Sequence, residues 1–263
     1  MNALNDNLRV TLVQSHLLWE SPAANCAQFE EQLQHLQGQT DLIILPEMFT
    51  TGFSMNDHGA EIWNGPSLAW MKIMANRLQA MLIGSMKIKE NQQYFNRMVA
   101  VYPEGKVAYY DKKHLFRMGN EQEFYTGGHS HCVLSYLGWN ISLFVCYDLR
   151  FPVWSRNTRL QYDLAIYSAN WPAPRALAWS TLLKARAIEN LAYVAGVNRV
   201  GTDGNDLNYQ GDSALVSFKG EALLDLGNTH QIATYTISKT DLSDFREKFP
   251  AHLDADDFLL QLV

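Results

Sequence analysis

The chain has 263 residues, of which 47% are hydrophobic and 18% charged, and a formal net charge of −6. Such proportions belong to an ordinary globular protein with a substantial core, and an acidic balance without Lys or Arg blocks argues against nucleic acid or an anionic membrane as partner, leaving small solutes. Three cysteines, Cys26, Cys132 and Cys146, form no C-x-x-C pair, so neither a disulfide framework nor a zinc site is suggested.

The first residues lack a basic start followed by an apolar run, and no window approaches 18 apolar residues, so a soluble cytoplasmic protein is expected. In chain order, residues 8–14 (LRVTLVQ) and 41–45 (DLIIL) read as strands around an amphipathic helix over 23–36, a β-α-β unit. A second helix from about 66 to 78 leads into a strand over 81–87, repeating the pattern. From Tyr94 the character changes to hairpins, with turns at Pro103-Glu104-Gly105 and Leu137-Gly138-Trp139. A helix over about 151–160, a strand over 163–170, a helix over 174–191 and a strand over 191–200 follow. Residues 213–226 and 230–239 read as a second hairpin region.

Without a Pro-, Gly- or Ser-rich linker or an internal repeat, one domain over residues 1–263 is the simpler organisation. Strands apolar on both faces, mixed from crossovers and hairpins, predict two sheets packed together and covered by helices, a four-layer α-β-β-α sandwich. The tail from about residue 248 carries Phe258, Leu259, Leu260, Leu262 and Val263, which is apolar enough to dock on a partner subunit.

Three reactive side chains stand where apolar strands stop: Glu47 in LIILPEMF, Lys112 beside Lys113 in VAYYDKKHLF, and Cys146 in LFVCYDLRFP. Strand ends are where side chains converge on one crevice. Pro46 cannot donate to a ladder, so the strand over 41–45 should end at Leu45 and put Glu47 in the exit turn. Adjacent lysines face opposite sides of a strand, so at most one enters a given crevice. An amide hydrolase would use all three types, with a thiolate to attack the carbonyl, a carboxylate to move protons, and a cation for the oxyanion. The backbone N–H of Tyr147 would complete the oxyanion site if the turn resembles a nucleophile elbow. The histidines show no ligand spacing, so no metal is expected.

LPEMF, YDKKHLF and VCYDLRFP, with the flanking YSANWP and ARAIENLAYVAGVNRVG, resemble in order the motifs of the nitrilase, or carbon-nitrogen hydrolase, superfamily. The resemblance implies the four-layer sandwich, a Glu47–Lys112–Cys146 triad with Lys113 facing away, no metal or other cofactor, and pairing into a homodimer. It also implies a second glutamate, for which Glu121 is preferred to Glu123 by its distance from Gly127-Gly128. Short length, CYDLRFP and SANWPAPR look most like the bacterial omega-amidases, whose substrates are 2-oxo acid amides such as 2-oxoglutaramate and 2-oxosuccinamate. An anionic substrate needs a cation, for which Arg117, Arg150 and Arg175 compete.

Other readings stay open. Phe116 and Trp171 line an acyl pocket or simply pack, Asp148 and Arg150 form an ion pair across the turn or lie exposed, and His114 walls the strand exit. Arg186 and Glu189 pair within a helix, with a secondary part at the site left open. Nitrile, N-carbamoyl amino acid or deaminated glutathione hydrolysis would use the same triad, and a thiol sensor would need only Cys146.

Overall fold

A computed structural model describes residues 6–260. Its first half contains β1 (Asn7–Gln14), α1 (Pro22–Leu33), β2 (Leu42–Ile44), β3 (Glu61–Ile62), α2 (Pro66–Leu78), β4 (Met81–Glu90), β5 (Gln93–Val101) and β6 (Val107–Asp111). After a short α3 (Glu121–Phe124) come β7 (Val133–Tyr136), β8 (Trp139–Val145), β9 (Leu164–Ala169), α4 (Ala176–Asn190) and β10 (Tyr193–Asn198). The last part holds β11 (Val200–Thr202), β12 (Asn208–Gln210), β13 (Ala214–Val216), β14 (Ala222–Asp225), β15 (Gln231–Ser238) and α5 (Lys239–Lys248).

One sheet has the order β15-β1-β2-β4-β5-β6, with β3 beside β4, and the other β14-β13-β10-β9-β8-β7. The centres, β1-β2-β4 and β8-β9-β10, are parallel, as is the short β3 beside β4, and the other outer pairings are antiparallel. Period-two alternation explains the layers. Leu42, Ile44, Met81 and Ile83 face one core cluster with Ile141, Leu143 and Ile166 of the second sheet. Ile43, Leu45, Leu82 and Val99 face the other way, onto Phe29 and Leu33 of α1 and Met71, Met74 and Leu78 of α2. On the far side α4 lays Trp179 and Leu183 so close to β10 that a Cβ at Gly196 would meet a Leu183 methyl at 2.5 Å. The molecule is therefore the expected α-β-β-α sandwich.

Two local expectations fail, and one helix went unread. Residues 151–160 form turns with a single 3-10 turn at Thr158–Leu160, because Asn157 spends its side chain on the backbone of Tyr162 and Asn190, which competes with a helix. Residues 213–226 make their own hairpin, β13-β14, while residues 230–239 leave it. They form β15, which pairs over eight residues with the open edge of β1 in the other sheet. Residues 239–248, on which the sequence reading made no assignment, form the helix α5.

Candidate active site

β2 stops at Ile44, Leu45 still donates to Ile83 O at 2.7 Å, and Pro46 ends the ladder. Glu47 then turns into the gap between the sheets, followed by Met48 in a left-handed conformation with φ 44°. Lys112 is the first residue beyond β6, its N–H held by Asn96 O at 3.0 Å. A Cβ at Gly128 would stand 2.1 Å from Asp111 O, so only glycine lets that segment pass the strand end carrying Lys112. Cys146 is the first residue beyond β8, with φ 45°, and opens the 3-10 turn Cys146–Arg150. Left-handed backbone at a non-glycine residue costs on the order of 1–3 kcal/mol and persists only where the surroundings enforce it.

The surroundings do. Asp148, fully buried, accepts from Val145 N at 3.0 Å, Tyr110 Oη at 2.7 Å, and His114 N and Nδ1 at 3.0 and 2.8 Å. The elbow is thus tied to the strand exit bearing Lys112, and the expected Asp148–Arg150 ion pair does not form. Arg186 donates to Leu149 O at 2.7 Å and pairs with Glu189 at 2.8 Å, so α4 supports the same turn. His114 stacks on Phe151 with ring centroids 3.7 Å apart, which makes it a wall.

Glu47, Lys112 and Glu121 are wholly excluded from water and bonded to one another. Lys112 Nζ lies 2.9 Å from Glu47 Oε1 and 3.0 and 2.9 Å from the two oxygens of Glu121. Glu47 Oε2 accepts from Asn170 N at 2.7 Å, across the gap from β9. Cys146 Sγ donates to Asn170 O at 3.9 Å beside this cluster, and burial together with the Glu47 carboxylate raises its thiol pKa well above the ordinary value, against the pull of Lys112. Burial would depress Lys112, yet Glu121 and Glu47 outweigh it and the ammonium is held charged. Burial pushes Glu121 upward, Lys112 pulls against it, and Glu47 adds to the rise. Glu123 is exposed, and Lys113 points elsewhere, toward the Trp154 ring.

Beside Cys146 lies a cavity of about 290 Å³. Tyr147, Phe116 and Trp171 line it, as do Phe53 and Met55, which the sequence did not single out. The β11-β12 hairpin closes the far side with Asn205, Leu207 and Tyr209. Arg150 lies over the Trp171 ring at 4.9 Å and Arg175 over Phe116 at 5.2 Å, both facing this space. Among the described residues neither has a carboxylate partner. Arg117 is exposed and outside the lining. Asn96 and Asn170, both bonded to Glu47, also escaped the sequence reading. SANWP had drawn notice as a motif, whereas a lone asparagine inside a strand gives no signal.

A buried thiol at the cavity wall, backed by an ammonium and two carboxylates, is an arrangement that the comparisons tie to hydrolases of carbon-nitrogen bonds. The carbon-nitrogen hydrolase family profile matches residues 9–247, and this chain belongs to that family. It is 46% identical over 255 residues to the omega-amidase YafV of Escherichia coli strain K12, covering 96% of this chain and 98% of that protein. The 2-oxoglutaramate amidase of Bacillus subtilis strain 168 is 29% identical over 250 residues, covering 93% and 96%. A crystal structure from Xanthomonas campestris, of a CN-hydrolase superfamily protein with an arsenic adduct in its active site, superposes with a TM-score of 0.95 at 46% identity. It covers 97% of this chain and 99% of that one.

Proposed function

We propose that the chain is an omega-amidase, removing the terminal amide of small 2-oxo acid amides such as 2-oxoglutaramate and 2-oxosuccinamate to give the 2-oxo acid and ammonia. The observation that carries this reading is the 46% identity to an omega-amidase along nearly the whole of both chains. Two unpaired guanidinium groups facing the cavity suit a substrate with a carboxylate at one end.

In this reading Glu47, Lys112 and Cys146 are the catalytic triad. The raised thiol pKa means that sulfur attacks only as Glu47 takes its proton. Lys112 and the Tyr147 N–H meet the oxyanion, and a donor of that kind is worth on the order of 3 kcal/mol of barrier. As the C–N bond breaks, the proton on Glu47 passes to the leaving nitrogen, and ammonia departs from a thioester. Glu47 next deprotonates water, whose oxygen attacks the thioester carbon. Collapse breaks the C–S bond and returns the proton to sulfur. Glu121 keeps Lys112 in place, while Phe116 and Trp171 keep bulk water from the thioester.

Ammonia release from 2-oxo amides, aliphatic nitriles and N-carbamoyl amino acids tests the assignment, with Cys146→Ala as control. The 2-oxo amides should be turned over with the highest kcat/KM and the variant should be inactive. Preference for a nitrile or carbamoyl compound would overturn the omega-amidase reading, and an active variant would remove the triad. The same reading has two copies pair, covering exposed apolar residues such as Leu177, Ile188 and Leu259. Sedimentation should then show twice the monomer mass. Leu262 and Val263, part of the expected docking tail, lie outside the described residues. Unpaired thiols at Cys26, Cys132 and Cys146 suit a reducing compartment such as the cytoplasm.

A further inference from the structure

Behind the Glu47–Lys112–Cys146 cluster lies a polar relay that the reaction scheme does not use. Asn96, on β5 and fully buried, donates from Nδ2 to Glu47 Oε1 at 2.8 Å and to Glu121 Oε1 at 3.3 Å. Its Oδ1 accepts from Ser85 Oγ at 2.9 Å. Ser85 Oγ in turn accepts from the backbone N–H of Met48 at 2.8 Å. Ser85 Oγ accepts from Met48 N–H and gives its single proton to Asn96 Oδ1, which can only accept. The amide of Asn96 is therefore oriented, with its oxygen toward Ser85 and both hydrogens toward the glutamates. Since Met48 directly follows Glu47, the relay returns to the residue whose carboxylate it orients.

Electrostatics give this arrangement a purpose. One ammonium, Lys112, serves two carboxylates in a site closed to water, so the pair repels itself. A neutral donor between them favours both ionised forms without adding charge, which an aspartate or an aliphatic side chain cannot do. We propose that Asn96, aimed by Ser85, is a positioning residue that ties Glu47 and Glu121 into one unit and holds Glu47 ionised and facing Cys146. The proposal rests on Glu47 being the base, as read above, and needs no particular amide substrate.

The test is the pH dependence of Cys146 alkylation by iodoacetamide, resolved peptide by peptide so that Cys26 and Cys132 are counted separately. Wild type is compared with Asn96→Leu, Asn96→Asp and Ser85→Ala, each checked for a cooperative thermal transition. In Asn96→Leu the acid limb should move up by about one pH unit, the equivalent of one lost hydrogen bond to a charged group. Ser85→Ala should shift it the same way by less, because the amide is then free to turn. Asn96→Asp should match or exceed the leucine variant at acid pH, where the new carboxyl keeps a proton to donate. At alkaline pH it should fall below, having added a third negative charge. An unshifted limb in a folded Asn96→Leu, or parallel profiles for the Asp and Leu variants, would overturn the proposal. If the leucine variant does not fold, an unshifted limb in Ser85→Ala together with a wild-type profile in Asn96→Asp does the same. A shifted limb with no ammonia from any amide would uphold Asn96 and remove the omega-amidase reading instead.

Discussion

Lys112 sits with no exposed surface between two carboxylates, and its removal is the sharpest change a single side chain can make here. Lys112→Met should abolish turnover and lower unfolding stability by roughly 3–5 kcal/mol, the cost of leaving buried charge unpaired, read by chemical denaturation. Glu47→Gln is a different experiment. The amide cannot take the thiol proton, so kcat should fall by about 10²–10⁴. Its NH₂ also faces the Asn170 N–H that Glu47 Oε2 now accepts, so a stability loss of about 1–3 kcal/mol should accompany it. At this scale Glu47, Cys146 and the Lys112–Lys113 pair were legible because polar groups directly beyond apolar strands stand out. Asn96 was not, because a polar residue inside a strand reads the same whether it meets water or two buried glutamates.

The loop after β2 supplies Phe53 and Met55 to the cavity wall, and Lys87 of β4 holds it. Lys87 Nζ, on a residue only 1% exposed, donates to Ser54 Oγ at 2.7 Å and to Asn56 O and His58 O at 2.9 Å each. Tyr125 Oη adds a bond to Ser54 O at 2.8 Å. Burial pulls the Lys87 pKa down to about 8, against Glu20 and Asp57, which favour the charge. Above that pH the amine has two protons for three acceptors, so the wall loosens as pH rises. KM should therefore climb through pH 8 in wild type, and in Lys87→Met it should be high and flat across that range, as steady-state kinetics would show. Two other elements mark the limits of local reading. The sequence reading passed over α5, although its cap is local, with Ser238 Oγ accepting from Asp241 N at 3.1 Å. The turn region over 151–160 shows the reverse, apolar spacing without the local hydrogen bonds to sustain a helix.

Across the whole molecule, stability comes from apolar side chains pinned between layers. Ile83 faces the inter-sheet core with no exposed surface, whereas Ile62 is 70% exposed on β3. Ile83→Ala should cost about 2–5 kcal/mol of unfolding free energy and Ile62→Ala no more than about 0.5, by urea denaturation. The pairing of β15 with β1 draws a late segment of the chain onto its first strand, with Thr11 and Thr234 sharing a hydrogen bond of 2.7 Å. Alternating apolar positions and strand-end chemistry are local properties, and from them the sequence by itself determined the class of fold, the order of most of its elements and the three reactive types. Which strands lie side by side, which face of each meets the second sheet, and that Asn96, Asn170 and Glu121 close around Glu47 were decided only in the tertiary structure. Those contacts join residues far apart in the chain, and pairing between distant segments is chosen by the free energy of burying whole faces together, a quantity no local window contains.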